Sequence, residues 1–219
     1  MVKLCIFDMD GTVVDTISSI SYFANRALNL YGLPSIEKDR YKILVGNGAR
    51  VLVERMVAEV GGDSEQLEKV YKEYNTTYDN DFLYLTEAYE GVVEMLSELK
   101  EMGIKTAILS NKPDVTAGKV AKALFKEGLI DLCYGAREGI PLKPDPEGVY
   151  KILEEMQISG DDCLYIGDTA TDIKTAKNAS LTSIGVLWGF RDRAELEGAG
   201  ADYVINHPSE IVKIAKEFK

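Results

Sequence analysis

From Glu90 onward the chain alternates between two hydrophobic periods, and this alternation limits the fold more than any other feature. Val92 to Leu99 repeats at helical spacing and ends near Gly103. Lys105 to Leu109 is a strand-length apolar run closed by Ser110-Asn111, and Pro113 suits the first turn of a helix reaching about Phe125. Leu132-Cys133-Tyr134 reads as a weak strand. Asp145-Pro146 supplies a cap and first position for a helix to Met156. Cys163 to Ile166 is a strand ending at Gly167-Asp168, followed by a helix over roughly Asp172 to Asn178. Ser183 to Trp188 and Tyr203 to Ile205 are further strands, and Ser209 caps a last helix to Phe218. Strands separated by helices predict an α/β protein whose parallel sheet is covered on both faces. Such sheets carry their sites at the carboxyl ends of the strands, near the point where strand order reverses.

Residues 16 to 85 break this rhythm. Leu67, Val70, Tyr71, Tyr74 and Tyr78 fall on one helical face, and Val51, Leu52, Met56, Val57 and Val60 do the same in an earlier helix. An all-helical insertion after the first strand is therefore expected, with 1–15 and 86–219 forming the sheet domain and 16–85 the insertion. Its tyrosines and methionines read as core.

Composition removes several functions. Lys plus Arg number 25 against 36 Asp plus Glu, a net charge of −11, which argues against nucleic acid or an anionic membrane as partner. The three cysteines, Cys5, Cys133 and Cys163, are widely separated and form no Cys-x-x-Cys pair. Buried free thiols and a cytoplasmic location fit them. Few apolar residues precede Asp8, too few for a signal peptide, and no apolar run is long enough to span a bilayer. The single histidine, His207, cannot build a His-rich metal site, and no nucleophile-elbow motif accompanies it. Gly46-Asn47-Gly48-Ala49-Arg50-Val51 fails the dinucleotide glycine pattern at its last position, and there is no Walker-type loop.

The chemistry concentrates at four places. The buried run Leu4-Cys5-Ile6-Phe7 delivers Asp8 and Asp10 to one face of a strand, just before Gly11-Thr12. Two close carboxylates repel each other, and a hard divalent cation relieves them. A calcium loop is excluded, because its twelfth position, counted from Asp8, is Ser19. Ser110 closes a second strand, Lys143 lies in the rigid segment Pro141-Leu142-Lys143-Pro144-Asp145-Pro146, and Asp168 and Asp172 follow a third strand. Taken singly, each suits a turn, a solvated lysine or a helix start. Together, at the ends of parallel strands, they form a candidate site.

This set resembles the haloacid dehalogenase superfamily of phosphohydrolases over essentially the whole chain. Asp8-x-Asp10-Gly-Thr matches its first motif, Ser110 the second, Lys143 the third and Gly167-Asp168-x-x-x-Asp172 the fourth. The resemblance implies a Rossmann-like core with a small helical cap, residues 16–85, closing over the site. It implies that Asp8 is the nucleophile, Asp10 the acid and base, and that Mg²⁺ is held by Asp8, Asp168 and the backbone carbonyl of Asp10. Asp172 would then act on the metal through water or another ligand. Ser110, Lys143 and the loop after Asp8 would hold phosphoryl oxygens, with Thr12 and Asn111 as further substrate contacts. Gly46-Asn47-Gly48 with Arg50, and then Glu54-Arg55, looks like the cap segment of phosphoglycolate phosphatases; Ser110-Asn111-Lys112-Pro113 and Trp188-Gly189-Phe190 point the same way. The implied substrate is a small phosphorylated metabolite, 2-phosphoglycolate, whose carboxylate would meet the Gly46–Gly48 helix start and Arg50. Pyrophosphatase, other small-phosphate hydrolase and sugar phosphomutase activities share the pattern, while the intact Asp8 and Asp10 speak against a non-enzymatic binding protein. A monomer or homodimer is expected.

Overall fold

A computed structural model describes residues 1–218. In chain order its elements are β1 (Leu4–Phe7), β2 (Val14–Asp15), α1 (Ile17–Leu30), α2 (Lys38–Leu44), α3 (Ala49–Glu59), α4 (Ser64–Asn80), β3 (Glu87–Ala88), α5 (Val92–Glu101), β4 (Lys105–Pro113), α6 (Asp114–Leu124), β5 (Leu132–Ala136), α7 (Glu147–Met156), β6 (Cys163–Gly167), α8 (Ala170–Asn178), β7 (Thr182–Val186), α9 (Arg193–Gly198), β8 (Tyr203–Ile205) and α10 (Ser209–Glu217). Six strands form one parallel sheet in the order β5-β4-β1-β6-β7-β8. This is the α/β architecture expected from the alternation.

The central strand shows why a continuous apolar run forms here. All four residues of β1 are buried, and they alternate between two cores. Cys5 and Phe7 join the cluster built with Val92, Leu96, Leu99, Val120 and Ile211, so α5, α6 and α10 cover one face. Leu4 and Ile6 join Val149, Ile152, Tyr165 and Ala176, so α7 and α8 cover the other. The strand period of two sends successive side chains into opposite layers, and both layers demand apolar residues. β1 also lies where the chain order reverses. Its neighbours β4 and β6 lead away in opposite directions, so the carboxyl ends of three adjacent strands share one crevice.

Helices α1 to α4 enclose a third apolar cluster, including Phe23, Leu28, Tyr41, Leu52, Met56, Val70, Tyr74 and Tyr78, to which Phe190 is added from beyond β7. On α4, Val70, Tyr74 and Tyr78 are buried and Leu67 and Tyr71 pack at the margin. On α3, Leu52, Met56 and Val57 are buried, as is Val53, which the spacing passes over; Val51 and Val60 are only half-buried.

Several boundaries differ from expectation for local reasons. β4 continues through Ser110-Asn111 to Pro113, with its pairing to β5 interrupted after Leu109. Pro113 caps α6 instead of entering it. The α7 helix starts at Glu147, whose N–H donates to the Asp145 carboxylate at 2.9 Å. α8 begins at Ala170, because Thr169 and Asp172 form a reciprocal capping box. β7 stops at Val186, short of Trp188. Ser209 is the first residue of α10, capped by Pro208. The antiparallel β2–β3 pair, Val14 with Ala88 and Asp15 with Glu87, ties together the two chain passages between sheet and helices. Two residues per strand are too few for a periodic signal. Among the described residues no helix is long and apolar enough to cross a membrane.

Candidate active site

Asp8 is the first residue past β1, and its N–H continues the ladder by donating to the Ile166 carbonyl at 2.8 Å. Its carboxylate thereby emerges between β4 and β6. Asp168 and Asp172 arrive from the end of β6 and the first turn of α8, and both are fully buried. One oxygen from each of Asp8, Asp168 and Asp172 lies within 4.8 Å of the others. Lys143 reaches this cluster from the loop before α7. Its Nζ stands 2.7 Å from Asp8 Oδ1 and 2.7 Å from Asp172 Oδ1.

The electrostatics are dominated by desolvation. Burial, then the charge of Asp172, pushes Asp8 up to about 7 despite Lys143. Burial, then Asp172 and Asp8, likewise holds Asp168 well above the usual carboxylate range. Burial works against the Lys143 ammonium, but Asp172 and Asp8 outweigh it and keep its pKa well above normal. In their ionised forms, three buried carboxylates against one ammonium carry a net negative charge that a cation would neutralise. The donor set is all oxygen, which suits Mg²⁺. Asp172 is the most committed of the three. Its Oδ1 meets Lys143, while Oδ2 accepts from the N–H and hydroxyl of Thr169 at 3.1 and 2.7 Å.

Three glycines leave room for these acids. A Cβ on Gly11, which also has φ +92°, would collide with the Asp168 carboxylate. One on Gly167 would overlap Asp172, and one on Gly189 would overlap both Asp168 and the Gly11 carbonyl. The segment Trp188-Gly189-Phe190 also fastens the loop after β1. Trp188 Nε1 donates to the Thr12 carbonyl at 2.9 Å, and the Phe190 N–H donates to Asp168 Oδ2 at 2.8 Å.

Asp10 faces the same cavity from the other side. Its Oδ2 pairs with Lys112 Nζ at 3.1 Å, and its Oδ1 is buried without a partner. Ser110, Asn111, Gly46, Gly48 and Lys143 line this cavity with Asp8 and Asp10. Ser110 Oγ accepts from the Lys112 N–H at 3.2 Å. Asn111 joins the sheet loops to the helical part: its Nδ2 donates to the carbonyls of Gly46 and Lys143, both at 3.2 Å, and its Oδ1 accepts from the Lys143 N–H at 2.9 Å. Thr12 Oγ1 donates to Asp168 Oδ1 at 3.2 Å, so its hydroxyl is turned to the acid cluster.

Thr12 thus does not line the cavity, and two further expected contacts lie elsewhere. Arg50 does not line the cavity. It pairs with Glu54 at 2.8 Å and Glu68 at 2.6 Å and lies over the Tyr71 ring, because helical spacing and the neighbouring α4 present carboxylates to it. Asn47 is also absent from the lining; its Oδ1 accepts from Arg55 at 2.8 Å. Conversely, Lys112 and Tyr78 meet in the cavity, Nζ to hydroxyl at 3.1 Å, although the spacing reads Tyr78 as core and gives Lys112 no role of its own. A lysine on an otherwise buried strand end is the signal that marks Lys112.

A parallel sheet that presents an acid pair after its first strand, a lysine and a second acid pair in one crevice defines a phosphatase of the α/β class. The chain belongs to the haloacid dehalogenase-like hydrolase family, whose model matches residues 5–186. It is 30% identical to a phosphoglycolate phosphatase of Aquifex aeolicus over 97% of this chain and 96% of that one. It is 27% identical to an N-acetylmuramic acid 6-phosphate phosphatase of Pseudomonas aeruginosa, over 97% of this chain and 94% of that one. A solved structure from Lactobacillus delbrueckii subsp. bulgaricus, provisionally described as a phosphoglycolate phosphatase, superimposes with a TM-score of 0.92 at 27% identity, covering 97% of this chain and 98% of that one.

Proposed function

We propose that the protein is a Mg²⁺-dependent phosphatase that hydrolyses 2-phosphoglycolate through an aspartyl phosphate on Asp8. The observation that carries the mechanism is the pairing of Asp8 with the Lys143–Asp168–Asp172 cluster while Asp10 Oδ1 lies buried and unpartnered in the same cavity. A carboxylate braced by an ammonium is an oriented nucleophile, and an unpartnered carboxyl oxygen beside it is a proton carrier with nothing else to serve.

In the first half-reaction an Asp8 oxygen forms a bond to phosphorus as the bond to the ester oxygen breaks, and Asp10 gives its proton to that oxygen. In the second, Asp10 takes a proton from water, the water oxygen bonds to phosphorus, and the Asp8–phosphorus bond breaks to release inorganic phosphate. Lys143 and Ser110 hold phosphoryl oxygens, whose charge is greatest during transfer. Asn111 fixes Lys143 by its backbone and so places the ammonium. Asp8 and Asp168 would hold the Mg²⁺, with Asp172 acting through water because its oxygens are already engaged. A Mg²⁺ held there would supply charge neutralisation for the nucleophile and the phosphoryl oxygens.

The choice of 2-phosphoglycolate rests on the relatives of that name together with the small cavity between α1, α3, α4 and the sheet ends. The test is phosphate release from a panel holding 2-phosphoglycolate, N-acetylmuramic acid 6-phosphate, pyrophosphate and hexose phosphates, with and without Mg²⁺. Highest kcat/KM on 2-phosphoglycolate is expected. Isomerised sugar phosphate would indicate a mutase, preference for pyrophosphate a pyrophosphatase, and binding without release a non-enzymatic protein.

A further inference from the structure

We infer that Lys112 selects the leaving group by holding an anionic substituent close to the ester oxygen, so that the preferred substrates are phosphate monoesters of small hydroxy acids. The inference rests on the role given above to Asp10, since that residue marks the leaving-group side of the cavity.

Among the described residues, Lys112 and Lys143 are the basic side chains that line the cavity. Lys143 is held between Asp8 and Asp172 on the phosphoryl side. Lys112 is therefore the cation left to meet a charge on the departing group. The arginines around the Gly46–Gly48 entrance do not line the cavity: Arg40 pairs with Glu59, Arg50 with Glu54 and Glu68, Arg55 donates to the Leu44 carbonyl and Asn47 Oδ1, and Arg191 pairs with Glu195 and donates to the Ile43 and Val45 carbonyls. The rest of the lining from the helical part carries no cation and includes Ile20, Leu52, Tyr74, Asn75, Tyr78 and Asp79. Asp79 itself accepts from Thr116 Oγ1 at 2.6 Å.

The geometry of Lys112 suits the task. Its side chain is 6% exposed, so its charge is little screened by solvent. An ammonium has three donors. Asp10 Oδ2 and the Tyr78 hydroxyl, each at 3.1 Å, take two and leave one. The same two contacts, with the Tyr78 ring at 4.6 Å from Nζ, prevent the flexible stem from wandering. An anion on the third donor would share the ammonium with Asp10, which serves the ester oxygen. A carboxylate on the carbon that bears that oxygen meets both requirements; a neutral alkyl chain meets neither.

The test compares 2-phosphoglycolate with 2-hydroxyethyl phosphate, in which a hydroxymethyl group replaces the carboxylate. The readout is the ratio of kcat/KM for the two esters in the wild type, Lys112→Met and Lys112→Arg. Any loss caused by releasing Asp10 falls on both esters and cancels. A charge-assisted hydrogen bond predicts that the ratio drops roughly 10- to 100-fold in Lys112→Met and is partly restored in Lys112→Arg. If Lys112→Met does not fold, Lys112→Gln carries the same comparison. An unchanged ratio, with phosphoglycolate hydrolysis intact in the wild type, overturns the inference alone and gives the carboxylate to the backbone at the start of α3. A wild type that hydrolyses other esters but not phosphoglycolate overturns the inference and the substrate reading together.

Discussion

Asp8 and Asp172 share one ammonium: Lys143 Nζ is 2.7 Å from an oxygen of each, although one acid follows β1 and the other lies in the first turn of α8, 164 residues away in sequence. The nucleophile is thus oriented by the same lysine that neutralises the acid cluster behind it. Removing Lys143 should leave buried carboxylates without a counterpart, whereas removing either acid leaves the other on the ammonium.

Asp8→Asn should abolish phosphate release, since an amide cannot form the acyl phosphate, while the far-ultraviolet circular dichroism stays native. Near-wild-type activity in this variant would exclude the mechanism.

The raised pKa of Asp8 carries a stability signature. In the unfolded chain its carboxyl ionises near the ordinary 3.8; in the folded protein, burial and Asp172 raise it to about 7. Folded protein therefore retains the proton between these values while the unfolded chain loses it, so stability falls as pH rises through that window. In EDTA, Tm should decline from pH 4.5 to 7.5, and Mg²⁺ should raise Tm more at pH 7.5 than at pH 5. Asp8→Asn should flatten the decline. A Tm that climbs through the same window would contradict the assignment.

Chelation should eliminate turnover and Mg²⁺ should restore it, with Ca²⁺ a poor substitute because it takes a larger, looser oxygen shell. Full activity after exhaustive dialysis against EDTA would show that the acid cluster works without a divalent ion.

Lys143→Met should cost about 3–5 kcal/mol of stability, the usual consequence of leaving buried carboxylates unpaired, and should reduce kcat more than it raises KM. Urea denaturation in EDTA measures the first and steady-state kinetics the second. A loss of stability under 1 kcal/mol would mean that Asp8 and Asp172 relax into water.

Gly189→Ala tests the packing around the acids. The added methyl would overlap the Asp168 side chain and the Gly11 carbonyl, so Mg²⁺ affinity should fall at least tenfold, read as the Mg²⁺ concentration for half-maximal activity. Arg50→Ala, by contrast, should leave KM for 2-phosphoglycolate nearly unchanged, because its guanidinium is occupied by exposed glutamates.

The alternation from Val92 to Ile205 dictates a parallel sheet, because the apolar run of β1 and the helical period of α5 are separately forced by burial on two faces and on one. Asp8, Asp10, Ser110, Lys143, Asp168 and Asp172 could be nominated only as a set: each alone suits a turn, a solvated lysine or a helix start, but strand ends in such a sheet converge. The sequence could not say which way Arg50 turns, since it carries carboxylates four residues along its own helix and on α4, and only packing of α3 against α4 places Glu68 beside it. Nor could it show that Tyr78, read as core, brings its hydroxyl to Lys112 across 34 positions, or that Gly189 makes room for Asp168. Local sequence sets the period and the strand ends through burial and backbone chemistry; the pairing of side chains from distant elements depends on crossover geometry, which no local pattern encodes.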